Sequence, residues 1–359
     1  MAGFRIGFIG TGKKGTPGLK GYAMAYRHAL GYKALPDCEM VACADIVREN
    51  ADAFAEEFGI KNVYTDYNEM LKKEAIDVVS ICTWPHLHAQ IIIDCCKAKV
   101  KAVHCEKPVA TTFGDAKRCV DAAEKAGVQL TFNHQRRFGR PFRLAYEKLH
   151  DGTIGKLLRM EFALGDIYDG GTHWVDLMNM FNEETPAEWV IGQIDLRQVR
   201  LAFGAPVEWQ GIYHIKYKND VYGLFFTGVE IWNKLGYNTR LYGTEGIIEI
   251  GWDSSPGWIV RWLQYNRGTW TADLADGESL HGPNFVERAI ADVIDALKTG
   301  REPELSARRA MNATEIIFAC YESSRRRARI DLPLDIEDSP IQEMMDKGEI
   351  KWEYAPDAK

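Results

Sequence analysis

Five short apolar runs separated by amphipathic stretches fill the first 130 or so residues, and this alternation constrains the fold more than any other feature. The runs are Phe4-Arg5-Ile6-Gly7-Phe8-Ile9, Met40-Val41-Ala42-Cys43-Ala44, Val78-Val79-Ser80-Ile81-Cys82, Ala102-Val103-His104-Cys105 and Gln129-Leu130-Thr131-Phe132. Helical periodicity occupies the gaps near 22–34, 47–58, 66–73, 86–98 and 112–126. Strands that are apolar on both faces lie inside a sheet covered on both sides, and strands joined through helices run parallel. The expectation is an α/β domain with a parallel sheet over residues 1–130.

The second half differs in texture. Helical patterns occur near 142–150 and 172–182, then strand-like alternation dominates from about 187 to 263. Asn219-Asp220 suits a hairpin turn between Tyr213–Lys218 and Val221–Glu230. Two long helical patterns follow, near 284–299 and 305–327. This predicts an α/β domain over 131–334, with a large, open, mostly antiparallel sheet carrying helices on one face. Arg325-Arg326-Arg327 reads as the solvated end of a helix, where cations suit the dipole. Residues 335–359 read as an acidic tail.

Charge narrows the partners. Lys plus Arg is 44 and Asp plus Glu is 51, a net charge of -7. This excludes a generally basic nucleic-acid binder. No apolar run approaches the roughly 18 residues of a membrane span, and the N-terminus enters a strand pattern with no signal-peptide pattern before it. Seven of the eight cysteines lie between Cys38 and Cys119, with no C-x-x-C pair. They read as reduced, mostly buried thiols in a cytoplasmic protein, with no metal site.

Gly10-Thr11-Gly12-Lys13-Lys14-Gly15 closes the first run with G-x-G-x-x-G spacing. Glycines there let the chain turn tightly and let backbone amides approach a pyrophosphate. Asp45 ends the second run, where a carboxylate can accept hydrogen bonds from a ribose diol. The usual separation from the third small residue is about 20 positions. Gly15 to Asp45 is 30 and Ala25 to Asp45 is 20, so the turn is read as expanded over 13–24, with a late helix start. The competing reading is a glycine turn that binds nothing. Asp45 would repel a 2′-phosphate, which favours NAD over NADP, while nearby Arg48 would partly offset it.

Two clusters carry candidate chemistry. His104-Cys105-Glu106-Lys107-Pro108 ends the fourth run, at the sheet edge where ligands bind. A lysine there can donate to a substrate oxygen; the alternative is a surface Lys-Pro turn. Asp169-Gly170-Gly171-Thr172-His173-Trp174-Val175-Asp176 reads as a loop entering a helix. A carboxylate beside an imidazole orients it as a general base. Asp169 or Asp176 could be that carboxylate, and a structural histidine at a capped helix start is the alternative.

With these residues in place, the chain resembles the glucose–fructose oxidoreductase / inositol dehydrogenase / rhizopine-catabolism (Gfo/Idh/MocA) family. The resemblance runs to about residue 334 and rests on ordered features: the glycine turn, Asp45, Trp84-Pro85-His86-Leu87-His88, Glu106-Lys107-Pro108, Asp169-x-Gly171-x-His173-x-x-Asp176, Gly243-Thr244-Glu245-Gly246 and Ile330-Asp331-Leu332-Pro333. Trp84 stands where the family usually has threonine, with Thr83 one position early. The resemblance implies a Rossmann domain plus an α/β domain whose sheet packs in a homodimer or homotetramer. It implies that Lys107 contacts the reacting hydroxyl and the nicotinamide ribose, that His173 accepts the proton with Asp169 assisting, and that Glu106 positions Lys107. Gly10, Gly12, Asp45, Thr83, Trp84 and His88 would lie at the cofactor.

The expected activity is hydride transfer between NAD and a secondary alcohol of a sugar, polyol or sugar derivative. One alternative oxidises a glycoside transiently and cleaves it with retained NAD. Another is a non-enzymatic dinucleotide-binding regulator, which would not need Lys107 and His173.

Overall fold

A computed structural model describes residues 3–14, 23–228, 230 and 232–354. They fall into two compact units, Met1–Gln135 with Val286–Met311, and Arg136–Phe285 with Asn312–Lys359. The first unit is built on six strands: β1 (Phe4–Ile9), β2 (Cys38–Ala44), β3 (Asn62–Tyr64), β4 (Val78–Ile81), β5 (Ala102–Cys105) and β6 (Gln129–Phe132). All pair in parallel, in the order β3-β2-β1-β4-β5-β6. The helices between them are α1 (Met24–Lys33), α2 (Arg48–Phe58), α3 (Tyr67–Lys73), α4 (Pro85–Lys97) and α5 (Phe113–Ala126). Local chemistry sets several ends. Thr112 caps α5 by accepting from Asp115 N–H at 3.1 Å, and Gly127 ends it at φ 67°. Asp66 caps α3 through Asn68 N–H at 2.8 Å.

The order reverses between β1 and β4, so the turns after these two strands flank the crevice at which open α/β sheets take ligands. β3 is absent from the sequence-level reading. It has three half-buried residues and no apolar run, and its place at the sheet edge beside β2 makes it a strand. The expanded turn at 13–24 lies largely outside the described residues, which omit 15–22. α1 begins at Met24, a late start as the Asp45 spacing predicts, with Ala25 fully buried.

The second unit contains α6 (Arg140–His150), β7 (Leu157–Leu164), α7 (Gly171–Phe181), β8 (Ala187–Asp195), β9 (Gln198–Ala202), β10 (Ala205–Val207), β11 (Gln210–Tyr217), β12 (Tyr222–Gly228), β13 (Thr239–Gly243), β14 (Gly246–Ile250), β15 (Val260–Gln264) and β16 (Trp270–Asp273). Then come α8 (Phe285–Thr299), α9 (Ala307–Arg326), β17 (Ile330–Asp331), α10 (Pro340–Asp346) and β18 (Glu353–Tyr354). Nine strands form one sheet, β16-β15-β14-β13-β7-β12-β11-β8-β17, antiparallel except where β7 meets β12. Asp220 turns the β11–β12 hairpin at φ 66°. Glycines let helices approach this sheet closely. A Cβ on Gly192 would lie 2.5 Å from the Cys320 carbonyl of α9, and one on Gly223 would lie 2.5 Å from Met178 Sδ of α7.

Two features differ from the sequence-level division. The segment after 334 is not a bare tail. α10 buries Ile341 and Met344, Asp338 pairs with Arg325, and β18 joins β9 and β10 in a small sheet. Arg325 and Arg326 also bind the buried Glu322, so that helix end is paired rather than merely solvated. The other difference concerns α8, which lies inside the expected 131–334 span. From Val286 it packs in the first unit with α1 and α2, its Ile290 and Ile294 joining Ile6, Phe8 and Tyr32 in one core. A parallel sheet needs cover on both faces, and α8 completes one of them. Gly31 of α1 lets it in, since a Cβ there would sit 2.9 Å from Ile290. We therefore expect Ile290→Ala to cost the first unit about 2–5 kcal/mol, read by denaturant unfolding. We also expect a fragment ending at residue 135 to be markedly less stable than the intact unit.

Candidate active site

The glycine turn follows β1 directly. Gly10 and Gly12 adopt φ 82° and 64°, which side chains other than glycine rarely accept. Gly10 is also packed tightly, because a Cβ there would meet Thr83 Cγ2 at 2.7 Å and the Cys82 carbonyl at 3.0 Å. Glycine thus lets the turns after β1 and β4 touch. Asp45 ends β2 and closes the turn from the other side. Its Oδ2 accepts from Gly12 N–H at 2.9 Å and from Thr11 Oγ1 at 3.1 Å, while Oδ1 accepts from Val47 N–H at 2.9 Å. Arg48, read as an offset to the Asp45 charge, is instead engaged with Asp52 at 2.8 Å. The cradle of two positive-φ glycines with an acid at the end of β2 fits a dinucleotide with a free ribose diol.

Across the reversal point, Thr83 is half-buried against Gly10, and Trp84 is 42% exposed. His88 is expected beside the cofactor, but the structure buries it completely. Its ring nitrogens lie 2.9 Å from the Pro108 carbonyl and 3.1 Å from the Thr83 carbonyl. Burial lowers its pKa, so the ring is neutral and donates to one carbonyl at a time. It braces the turn after β4 against the turn after β5.

Lys107 follows β5 at the carboxyl edge and is half-buried. Glu106 beside it is held inside the unit. Its Oε1 accepts from Asn133 Nδ2 at 2.7 Å and from His28 Nε2 at 3.0 Å, and His28 Nδ1 donates to Ser80 Oγ at 2.7 Å. Burial by itself would lower the His28 pKa, but Cys82 and Glu106 outweigh it and raise it to about 10. Burial would likewise raise Glu106, and the hydrogen bonds from His28 and Asn133, with the Lys107 charge, bring it down to about 2. The result is a buried His28–Glu106 pair held by Asn133 as well, and removing one member would cost about 3–5 kcal/mol. His28 and Asn133 escape sequence reading because each looks like an ordinary polar residue at its own position; the contact spans 78 and 27 residues.

In the second unit, Asp169 stands in the loop just before α7 and His173 is the helix's third residue, buried to 4% exposure. Asp176, the other candidate to orient His173, is taken. Arg137 grips its carboxylate at 2.7 and 2.8 Å, and both side chains are almost wholly buried. The neighbouring Arg136 stacks 4.0 Å above the Trp174 ring and donates to the Leu280 carbonyl. Burial pulls its pKa down to about 9, with Asp253 and Asp169 opposing the shift.

The family model described as the NAD-binding Rossmann fold of an oxidoreductase family matches residues 4–134, and that for its C-terminal alpha/beta domain matches residues 135–332. The chain belongs to the Gfo/Idh/MocA oxidoreductase family. Its first 130 or so residues are therefore the family's Rossmann domain. Among curated relatives, myo-inositol 2-dehydrogenase of Thermotoga maritima is 34% identical over 152 residues, 42% of each chain. Levoglucosan dehydrogenase of Pseudarthrobacter phenanthrenivorans is 32% identical over 160 residues, 44% of this chain and 40% of that one. The chain therefore spans less than half the length of either relative in these matches. In overall fold, a levoglucosan dehydrogenase solved with NADH and L-sorbose superposes with a TM-score of 0.77 at 20% identity, covering 93% of this chain and 100% of that one.

The place of Asp45, at the end of β2 and against the glycine turn, makes it the residue to test for cofactor choice. Removing the charge by Asp45→Ser should narrow the preference for NAD over NADP roughly tenfold, as expected for losing one close like-charge contact. Steady-state kinetics with both cofactors checks this, and an unchanged ratio refutes it.

Proposed function

We propose that this family member is an NAD-dependent dehydrogenase acting on a secondary alcohol of a sugar, polyol or sugar derivative. The observation that carries the reading is Lys107, directly after β5 on the carboxyl edge, beside a Glu106 whose carboxylate is held ionised by His28 and Asn133. The names of the curated relatives supply the substrate class. NAD supplies the hydride acceptor. His173 would take the hydroxyl proton, with Asp169, in the loop before the same helix, orienting the imidazole. Lys107 would donate to a substrate oxygen at the carboxyl edge of the first sheet and favour negative charge developing there.

A screen of sugars and polyols for NADH formation tests the reading, since free NADH also separates it from transient oxidation with retained cofactor. With the substrate found, His173→Ala and Lys107→Met should each lower turnover by about 100- to 10,000-fold. NAD affinity should change little for His173→Ala. Near-normal turnover by His173→Ala overturns its role.

Homo-oligomerisation belongs to the same proposal. The sheet face opposite α7 and α9 presents Ile191, Ile212, Leu224 and Tyr222 around a cavity of about 350 Å³, with Ile191 46% and Ile212 49% exposed. An apolar strip of this kind on an antiparallel sheet is suited to covering by a second copy. Ile212→Arg should shift the mass in light scattering toward the monomer, and an unchanged mass refutes the assignment. No helix among the described residues is long and apolar enough to cross a membrane, and eight free cysteines suit a reducing compartment such as the cytoplasm.

A further inference from the structure

The loop that leads from β7 into α7 is fastened from inside the second unit by a carboxylate the sequence reading passed over. Asp166 is 6% exposed. Its Oδ1 accepts from Asp169 N–H at 2.6 Å, and its backbone carbonyl accepts from Gly171 N–H at 2.9 Å. The packing is close enough that a Cβ on Gly171 would lie 2.4 Å from that carbonyl oxygen. Arg200 of β9 reaches Asp166 Oδ2 at 2.9 Å. A second buried acid, Glu208, holds the next residue, its Oε1 accepting from Ile167 N–H at 2.8 Å and its Oε2 from Tyr321 of α9 at 2.7 Å. Both ends of the short loop carrying Asp169 are therefore tied to one buried residue, and His173 follows two residues after Gly171.

We propose that Asp166, balanced by Arg200, is a positioning residue for the proton-accepting pair Asp169 and His173, and that its ionisation state sets how that pair is held. This rests on the dehydrogenase reading only for its kinetic consequence. When ionised, Asp166 binds both the Asp169 amide and the Arg200 guanidinium; when protonated, it loses most of its attraction for Arg200 and releases one tether from β9. The groups facing it are Tyr168 and Asp169 on its own loop, Arg200 from β9, Glu208 before β11, and Tyr321 from α9 through Glu208. Burial, then Asp169 and Glu208, raise the Asp166 pKa to about 7, with Arg200 opposing. The tether therefore loosens above the usual carboxylate range, and the loop is less constrained once Asp166 holds its proton.

The test uses the full chain with carbon-13-labelled histidine, the His173 signal being assigned by its loss in His173→Ala. In the wild type that signal should show, besides the ring's own titration, a second inflection that is absent in Asp166→Asn. Arg200→Gln should move the inflection to higher pH, because the cation that favours the ionised acid is gone, and Arg200→Lys should return it. Once the substrate is found, Asp166→Asn should lower kcat on the order of 10- to 100-fold, the scale of a small misplacement, with KM for NAD little changed. The acidic limb of kcat should follow the same order among the Arg200 variants. A second inflection that persists in Asp166→Asn, or that Arg200→Gln leaves in place, overturns the proposal, as does a kcat within about twofold of wild type for a folded Asp166→Asn. If Asp166→Asn fails to fold, the two Arg200 variants decide. If no alcohol is oxidised, the dehydrogenase reading fails while the histidine titration still decides this one.

Discussion

A carboxylate stays ionised inside a parallel sheet only when charge and hydrogen bonds are built in around it, and Glu106 meets that condition through His28 and Asn133. Much of the first unit follows from this contact. It ties α1 to the end of β5 and to the segment after β6, and it places a fixed negative charge beside Lys107. His88 adds a neutral brace between the turns after β4 and β5. The cofactor turn is held on the other flank by Asp45, whose oxygens meet the backbone of Gly12 and Val47. The crevice edge is thus shaped by polar groups satisfied within the protein, so it is organised before any ligand arrives.

The second unit solves a similar problem with different residues. Its long sheet is packed on one face by α7 and α9, and the loop into α7 is anchored by Asp166 and Glu208 instead of by secondary structure. Arg137 fixes the helix itself by holding Asp176. Within the D-x-G-x-H-x-x-D pattern, the second acid thus secures the helix through Arg137.

Elements with a strong period were legible in the sequence. The apolar runs became β1, β2, β4, β5 and β6, and the helices between them fall within a few residues of where periodicity placed them. The late start of α1 was legible from a count to Asp45 alone. β3 was not, because three half-buried edge residues carry no pattern. Nor was the return of α8 to the first unit, because an amphipathic helix advertises an apolar stripe without saying which sheet will receive it. The segment after 334 was illegible for a similar reason: β18 exists only because β9 offers it a free edge.

The sequence by itself determined the parallel sheet, the positive-φ glycine turn, the acid at the end of β2, and the lysine and histidine that mark the family, since each depends on a residue type at a local spacing. Tertiary structure alone decided which polar residues serve these: His28 for Glu106, Arg137 for Asp176, Arg200 for Asp166. Local patterns are governed by backbone geometry and the period of burial, which act over a few residues. The partner of a buried charge is whichever group the fold brings within about 3 Å, and here those partners lie 34 to 78 residues away along the chain.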